Sequence, residues 1–201
     1  MANTGRRLVA AAALTGGLFT ARPGAADEGP LTIVVTVTNL AEIATGDLKS
    51  AEQKASEIYE AIGVRIQWAN DSDEPSGPSA RLLRLQLLLL PGKMSERMGA
   101  AAHLRYSVLG MAAGPSNRAY AFTNRILSLA ATQGMSFEPV LGWVMAHELG
   151  HLLLPGQGHS AAGIMRANVL EHSTRPQSFT NEQATSIRSL VTACGTAERW
   201  Q

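Results

Sequence analysis

His147, Glu148 and His151 fall within one five-residue stretch of the run HELGHLLLPGQGH, and His159 closes it. The chain has only five histidines, so three of them are gathered in thirteen residues. The run lies in FEPVLGWVMAHELGHLLLPG, whose apolar residues predict a helix. Pro139 suits the first turn, where its missing N–H is no loss. Pro155 and Gly156 stop the helix.

On that helix residues four apart share a face, so His147 and His151 project side by side. Two imidazoles fixed in this way suit a zinc ion. Glu148 is rotated by about 100° from His147. It is poorly placed as a ligand but can reach a water at the metal's open position. Zinc lowers that water's pKa toward about 7, and a carboxylate can take the proton. The rival reading makes the two histidines hydrogen-bonded core residues in the stripe Val140, Val144, His147, His151, Leu154. Burying two unpartnered rings costs about 1–3 kcal/mol each, an objection that metal ligation removes.

A catalytic zinc needs three protein ligands and one open place. His159 is the favoured third, because the Pro155–Gly156 break and Gly158 let the chain fold back under the helix. Glu171 and His172 remain open as alternatives, although NVLEHSTRP leaves little room for a second helix. His103 is expected as a surface or hydrogen-bonded residue rather than a ligand, and Met111, Met135 and Met145 as core fillers.

The elements around this helix are legible in part. LTIVVTVTNL reads as a strand, GDLKSAEQKASEIYEAIG as a helix ended by Gly63, and VRIQWA as a second strand. NDSDEPSGPS is a loop by composition. RLLRLQLLLL reads as a buried strand, with a helix as the alternative. YSVLGMAAG and RAYAFTNRIL read as two further strands joined across GPSN. The β-helix-β order implies a parallel crossover and a mixed sheet. Thr180 and Gln183 form a capping-box pattern ahead of a last helix in FTNEQATSIRSLVTA. The fold class is α/β, bordering on α+β: a mixed twisted sheet, an active-site helix and a small C-terminal subdomain.

The chain has 201 residues, 45% of them hydrophobic and 16% charged, which suits a single globular domain. Residues 1–26 are laid out as a secretory signal peptide: Arg6 and Arg7, an apolar stretch from Leu8 to Phe19, then small residues to Ala26. A merely greasy N-terminus is the alternative. Residues 27–201 then form one catalytic domain, with an upper α/β part to about 154 and a lower part from 155 to 201. The expected destination is secreted or periplasmic. Loss of Arg6, Arg7 and Arg22 takes the formal charge from +1 to −2. A near-neutral chain gives no electrostatic case for nucleic acid or for a membrane surface as partner. The single cysteine, Cys194, cannot make an intrachain disulfide, and thiolate zinc sites usually need two to four cysteines.

With HELGHLLLPGQGHSAAGIM in view, the sequence resembles the metzincin clan of zinc metallopeptidases, whose pattern is HExxHxxGxxH followed by a methionine turn. The match covers His147, Glu148, His151, Gly156 and His159, with Met165 as the Met-turn residue. The resemblance implies a cleft between an upper sheet domain and a small lower subdomain. It also implies a bound Zn2+, Glu148 as general base, and a peptide or protein substrate lying along an edge strand similar to Ser107–Gly114. The chain departs from the clan in spacing: Gly156 and His159 each come two residues late, so either the helix or the turn is longer. Arg166 stands after Met165 where some members have a tyrosine. A non-catalytic zinc-binding protein and a zinc hydrolase of non-peptide amides are the alternatives, because the motif reports water activation rather than substrate.

Overall fold

The computed structural model describes residues 30–70, 82–167 and 178–196. The expected signal peptide, Glu171 and His172 lie outside them. Among the described residues five strands form one sheet: β1 (Leu31–Asn39), β2 (Val64–Asn70), β3 (Leu83–Leu90), β4 (Gly110–Ala113) and β5 (Arg118–Phe122). Five described α-helices accompany it: α1 (Thr45–Glu60), α2 (Gly92–Ala101), α3 (Thr123–Thr132), α4 (Phe137–Leu153) and α5 (Asn181–Thr196). The strand order is β2-β1-β3-β5-β4, parallel except where β4 runs against β5. This is the mixed α/β sheet expected from the β-helix-β order.

Alternation sets the two faces of the sheet. Ile33, Val35 and Val37, with Leu85, Leu87, Leu89, Ala119 and Ala121, join the core beneath α1 and α4. On the opposite face Arg65, Gln67, Arg84, Gln86 and Arg118 are exposed. Gln86 and Arg118 are register partners there, and Arg118 Nε donates to Gln86 Oε1 at 2.7 Å.

Helix α4 is apolar all round and is therefore buried between layers rather than laid on the surface. Gly142 lets α1 cross it closely: a Cβ there would stand 2.6 Å from the Ala51 carbonyl oxygen. Tyr59 of α1 donates its hydroxyl to the Ala146 carbonyl at 3.1 Å, tying α1 to the residue before His147. The two ends expected for α1 and α5 have the expected chemistry. Gly63 takes φ +75°, and Thr180 and Gln183 exchange backbone and side-chain hydrogen bonds at 2.9 and 3.3 Å.

Two of the expected strands are shorter in the structure. RAYAFTNRIL is only half a strand: β5 stops at Phe122 and α3 begins at Thr123. Thr123 Oγ1 donates to the Leu90 carbonyl at 2.8 Å, so the chain turns where a long-range partner captures it. The strand expected in YSVLGMAAG shrinks to Gly110–Ala113, joined to β5 through a 3-10 turn at Gly114–Ser116. Helix α2 carries no sequence signal of its own, because the residues it buries are Ser95 and Gly99 rather than a greasy stripe. None of the described helices is long and apolar enough to cross a membrane.

Candidate metal centre

The last turns of α4 carry His147 and His151 on one face, and the helix ends at Leu153. Gln157 N–H then donates to the Leu154 carbonyl at 3.0 Å, and Gly156 adopts φ +75°. The two residues by which the spacing departs from the metzincin pattern therefore sit in the turn and do not lengthen the helix. That exposed turn swings His159 back toward the other two rings. His151 Nε2 lies 3.1 Å from His147 Nε2 and 3.3 Å from His159 Nε2. The three ligand atoms all lie within 4.8 Å of one another.

These separations suit ligation better than hydrogen bonding. His147 Nδ1 is 2.7 Å from the Ile164 carbonyl oxygen and donates to it, so its Nε2 presents a lone pair. A single Nε2 proton on His151 could serve only one neighbour, yet two nitrogens crowd it. Nitrogens held about 2.0–2.1 Å from a tetrahedral zinc stand ~3.3–3.4 Å apart. The three residues fit such an ion. Burial lowers the His147 pKa to about 4 and also lowers that of His151, so both rings are neutral, as ligation requires.

Glu148 is buried at 5% exposure and borders the same cleft. No hydrogen bond or ion pair engages its carboxyl among the described residues. Burial without a partner raises its pKa to about 8. Gly110, the first residue of β4, closes over it: a Cβ there would stand 2.6 Å from Glu148 Oε1. The edge strand thus reaches the carboxylate with bare backbone.

Beneath the helix, Met165 is fully buried, and Gly150 makes room for it: a Cβ on Gly150 would stand 2.5 Å from the Met165 sulfur. The segment between His159 and Met165 is closed by Ser160 N–H donating to the Met165 carbonyl at 2.8 Å. That closure holds the Ile164 carbonyl against His147. His103 is exposed and lies outside the cluster, while Met145 is in the core and Met111 lines the cleft. Sequence reasoning missed Gly110, Gly150 and the Ile164 carbonyl. A glycine's spacing says nothing of what it will touch, and a backbone carbonyl has no residue-type signature.

The cleft above the triad has a volume of about 1610 Å³ and is lined by β4, α4 and the turn after it. Pockets for small ligands run to roughly 300–1,000 Å³, so this one has room for an extended chain.

No family model and no curated protein matches the sequence. The fold, however, has counterparts among solved structures. A zinc-dependent peptidase from Methanocorpusculum labreanum superposes with a TM-score of 0.52 at 15% identity, covering 76% of this chain and 99% of that one. The archaemetzincin of Methanopyrus kandleri gives a TM-score of 0.49 at 15% identity, covering 81% and 97%. The first of these establishes a shared fold.

Proposed function

We propose that the protein is a zinc-dependent metallopeptidase of metzincin type, with His147, His151 and His159 as ligands and Glu148 as general base. One observation carries this reading: three imidazole nitrogens converge beside a buried, unpartnered carboxyl on the floor of an open cleft. The similarity of fold to a zinc-dependent peptidase supports the choice of metal and of substrate class.

Zinc, when bound, supplies Lewis-acid polarisation of a carbonyl and an acidified water at neutral pH. The chain's own residues do the rest. Ile164 holds the His147 ring in one tautomer, so that its Nε2 stays available. Glu148 has no competing partner, and the positive charge of a zinc ion held by the three histidines would lower its raised pKa, so its ionised carboxylate could accept a proton from the attacking water and release it to the departing amine. The edge of β4 that does not face β5 carries no strand among those described, and it begins beside Glu148. An extended peptide added along that edge would bring its backbone to the carboxyl.

The test compares wild type with Glu148→Gln, both loaded with zinc. The expected result is one zinc per chain in both proteins and a loss of at least about a thousandfold in peptide hydrolysis for the variant. Undiminished hydrolysis in Glu148→Gln overturns the role of the carboxylate. A zinc-loaded wild type that cleaves amides but no peptide overturns the substrate class.

A further inference from the structure

Arg125 sits in the first turn of α3 and is 5% exposed, yet among the described residues no carboxylate pairs with it. Its Nη1 donates to the carbonyl of Val108 at 2.8 Å and to that of Arg105 at 3.2 Å. Its carbon centre lies 4.8 Å from the Phe122 ring centroid and 5.1 Å from that of Tyr106. Its Nε is buried with no partner. Buried guanidinium groups are ordinarily matched by an anion, and this one is matched only by carbonyls and ring faces. Gly99 completes the seat, since a Cβ there would collide with Nη2.

The same guanidinium borders the cleft, and so does Arg105, whose side chain is exposed and is neither hydrogen-bonded nor ion-paired to any described residue. Val108 N–H donates to the Arg105 carbonyl at 3.0 Å, so a turn pinned by Arg125 presents Arg105. Among the described residues that line the cleft, Glu148 is the only acid. A carboxylate entering past Arg105 therefore meets two positive charges with little opposing charge along the wall.

We propose that this wall is a carboxylate-recognition subsite, in which Arg105 contacts an acidic group of the peptide and Arg125 positions the turn that presents it. The proposal rests on the peptidase reading for the identity of the ligand. Arg105 precedes Gly110 by five positions, a span of at most ~18 Å if extended and less through the turn. A ligand lying antiparallel to β4 brings its residues C-terminal to the reacting carbonyl toward Arg105. Glu or Asp is thus favoured within a few positions on that side. Arg105 sets specificity, and Arg125 is a positioning residue.

Two fluorescein-labelled decapeptides, identical but for three Glu replaced by three Gln, are titrated into zinc-loaded Glu148→Gln protein at low salt. The acidic peptide is expected to bind about tenfold tighter, the order of one partly screened charge pair. Arg105→Glu, at an exposed position that leaves the fold intact, should abolish that preference. Cleavage mapping with active protein should then place the acids after the cut bond. Equal binding of the two peptides, no binding of either, a preference that survives Arg105→Glu, or acids selected only before the cut bond overturns the proposal. Wild type that cleaves peptides without acid preference sinks the subsite and leaves the peptidase reading standing. Arg105-dependent binding with no cleavage by wild type does the reverse.

Discussion

Replacing Gly110 by alanine tests whether the edge strand fixes the position of Glu148, the proposed general base. The added Cβ would stand 2.6 Å from Glu148 Cγ, Glu148 Oε1 and the Tyr120 carbonyl oxygen. Ordinary contact begins at 3.4 Å, so about 0.8 Å must be found on each side. The Tyr120 oxygen belongs to β5, which is locked between β3 and β4, and it can yield little. The Glu148 carboxyl is the more mobile partner and should be displaced. A misplacement near 1 Å in a reacting group costs about a hundredfold in rate, and overpacking costs about 1–3 kcal/mol of stability. The assay measures peptide turnover, zinc content and thermal unfolding on the same preparation. We expect turnover to fall about a hundredfold with one zinc per chain retained, since the atoms nearest the added Cβ belong to Glu148 and Tyr120 rather than to the three histidines. In a Glu148→Ala background two of the three clashes vanish, so the stability penalty of Gly110→Ala should shrink measurably. Wild-type turnover in Gly110→Ala, or a loss of turnover that merely tracks a loss of zinc, refutes the reasoning.

Other perturbations are informative. His159 is exposed, so His159→Ala should leave the melting temperature of the chelator-treated protein unchanged while removing most of the stabilisation that zinc confers. That stabilisation is ~2.7 kcal/mol at a free zinc concentration of 100 Kd, and an unaltered zinc-induced shift in His159→Ala excludes the residue as a ligand. Gly150→Ala would press on the Met165 sulfur at 2.5 Å and on Phe179 at 3.1 Å. A loss of about 1–3 kcal/mol in denaturant unfolding is expected, with partial recovery in Gly150→Ala/Met165→Ala; no loss at all counts against the packing. In metal-free protein, burial lowers His147 from 6.5 to about 4 and raises Glu148 from 4.5 to about 8. The His147 contribution is complete above pH 6.5 and is lost as pH falls toward 4. The Glu148 contribution is complete below pH 4.5 and is lost as pH rises toward 8. The urea midpoint of the metal-free wild type should therefore fall between pH 6.5 and 8, and Glu148→Gln should remove that fall. A wild-type midpoint that rises over this range contradicts the burial of the carboxyl.

Much of the frame could be read from the residues themselves. The apolar run from Phe137, with Pro139 near its start and Pro155–Gly156 at its end, determines α4, because helix limits are set by backbone chemistry within a turn. The four-residue step from His147 to His151 puts both rings on one face for the same local reason. The Thr180–Gln183 pair fixes the start of α5 through hydrogen bonds that span three residues. Period and composition also separated β1, α1 and β2.

What tertiary structure decided is everything that depends on two distant segments meeting. Helix α2 presents Ser95 and Gly99 to the core, and β5 turns into α3 where Leu90 accepts from Thr123, neither of which leaves a periodic trace. The two additional residues before His159 could have lengthened either helix or turn, and only the folded path places them in the turn. Gly110 against Glu148, Gly150 against Met165, the Ile164 carbonyl on His147 and the Arg125 brace are all contacts between segments far apart in the chain. Local sequence encodes which atoms can bond or bind. Which of them are brought within reach is settled by the packing of helices onto the sheet, and that packing depends on the whole chain at once.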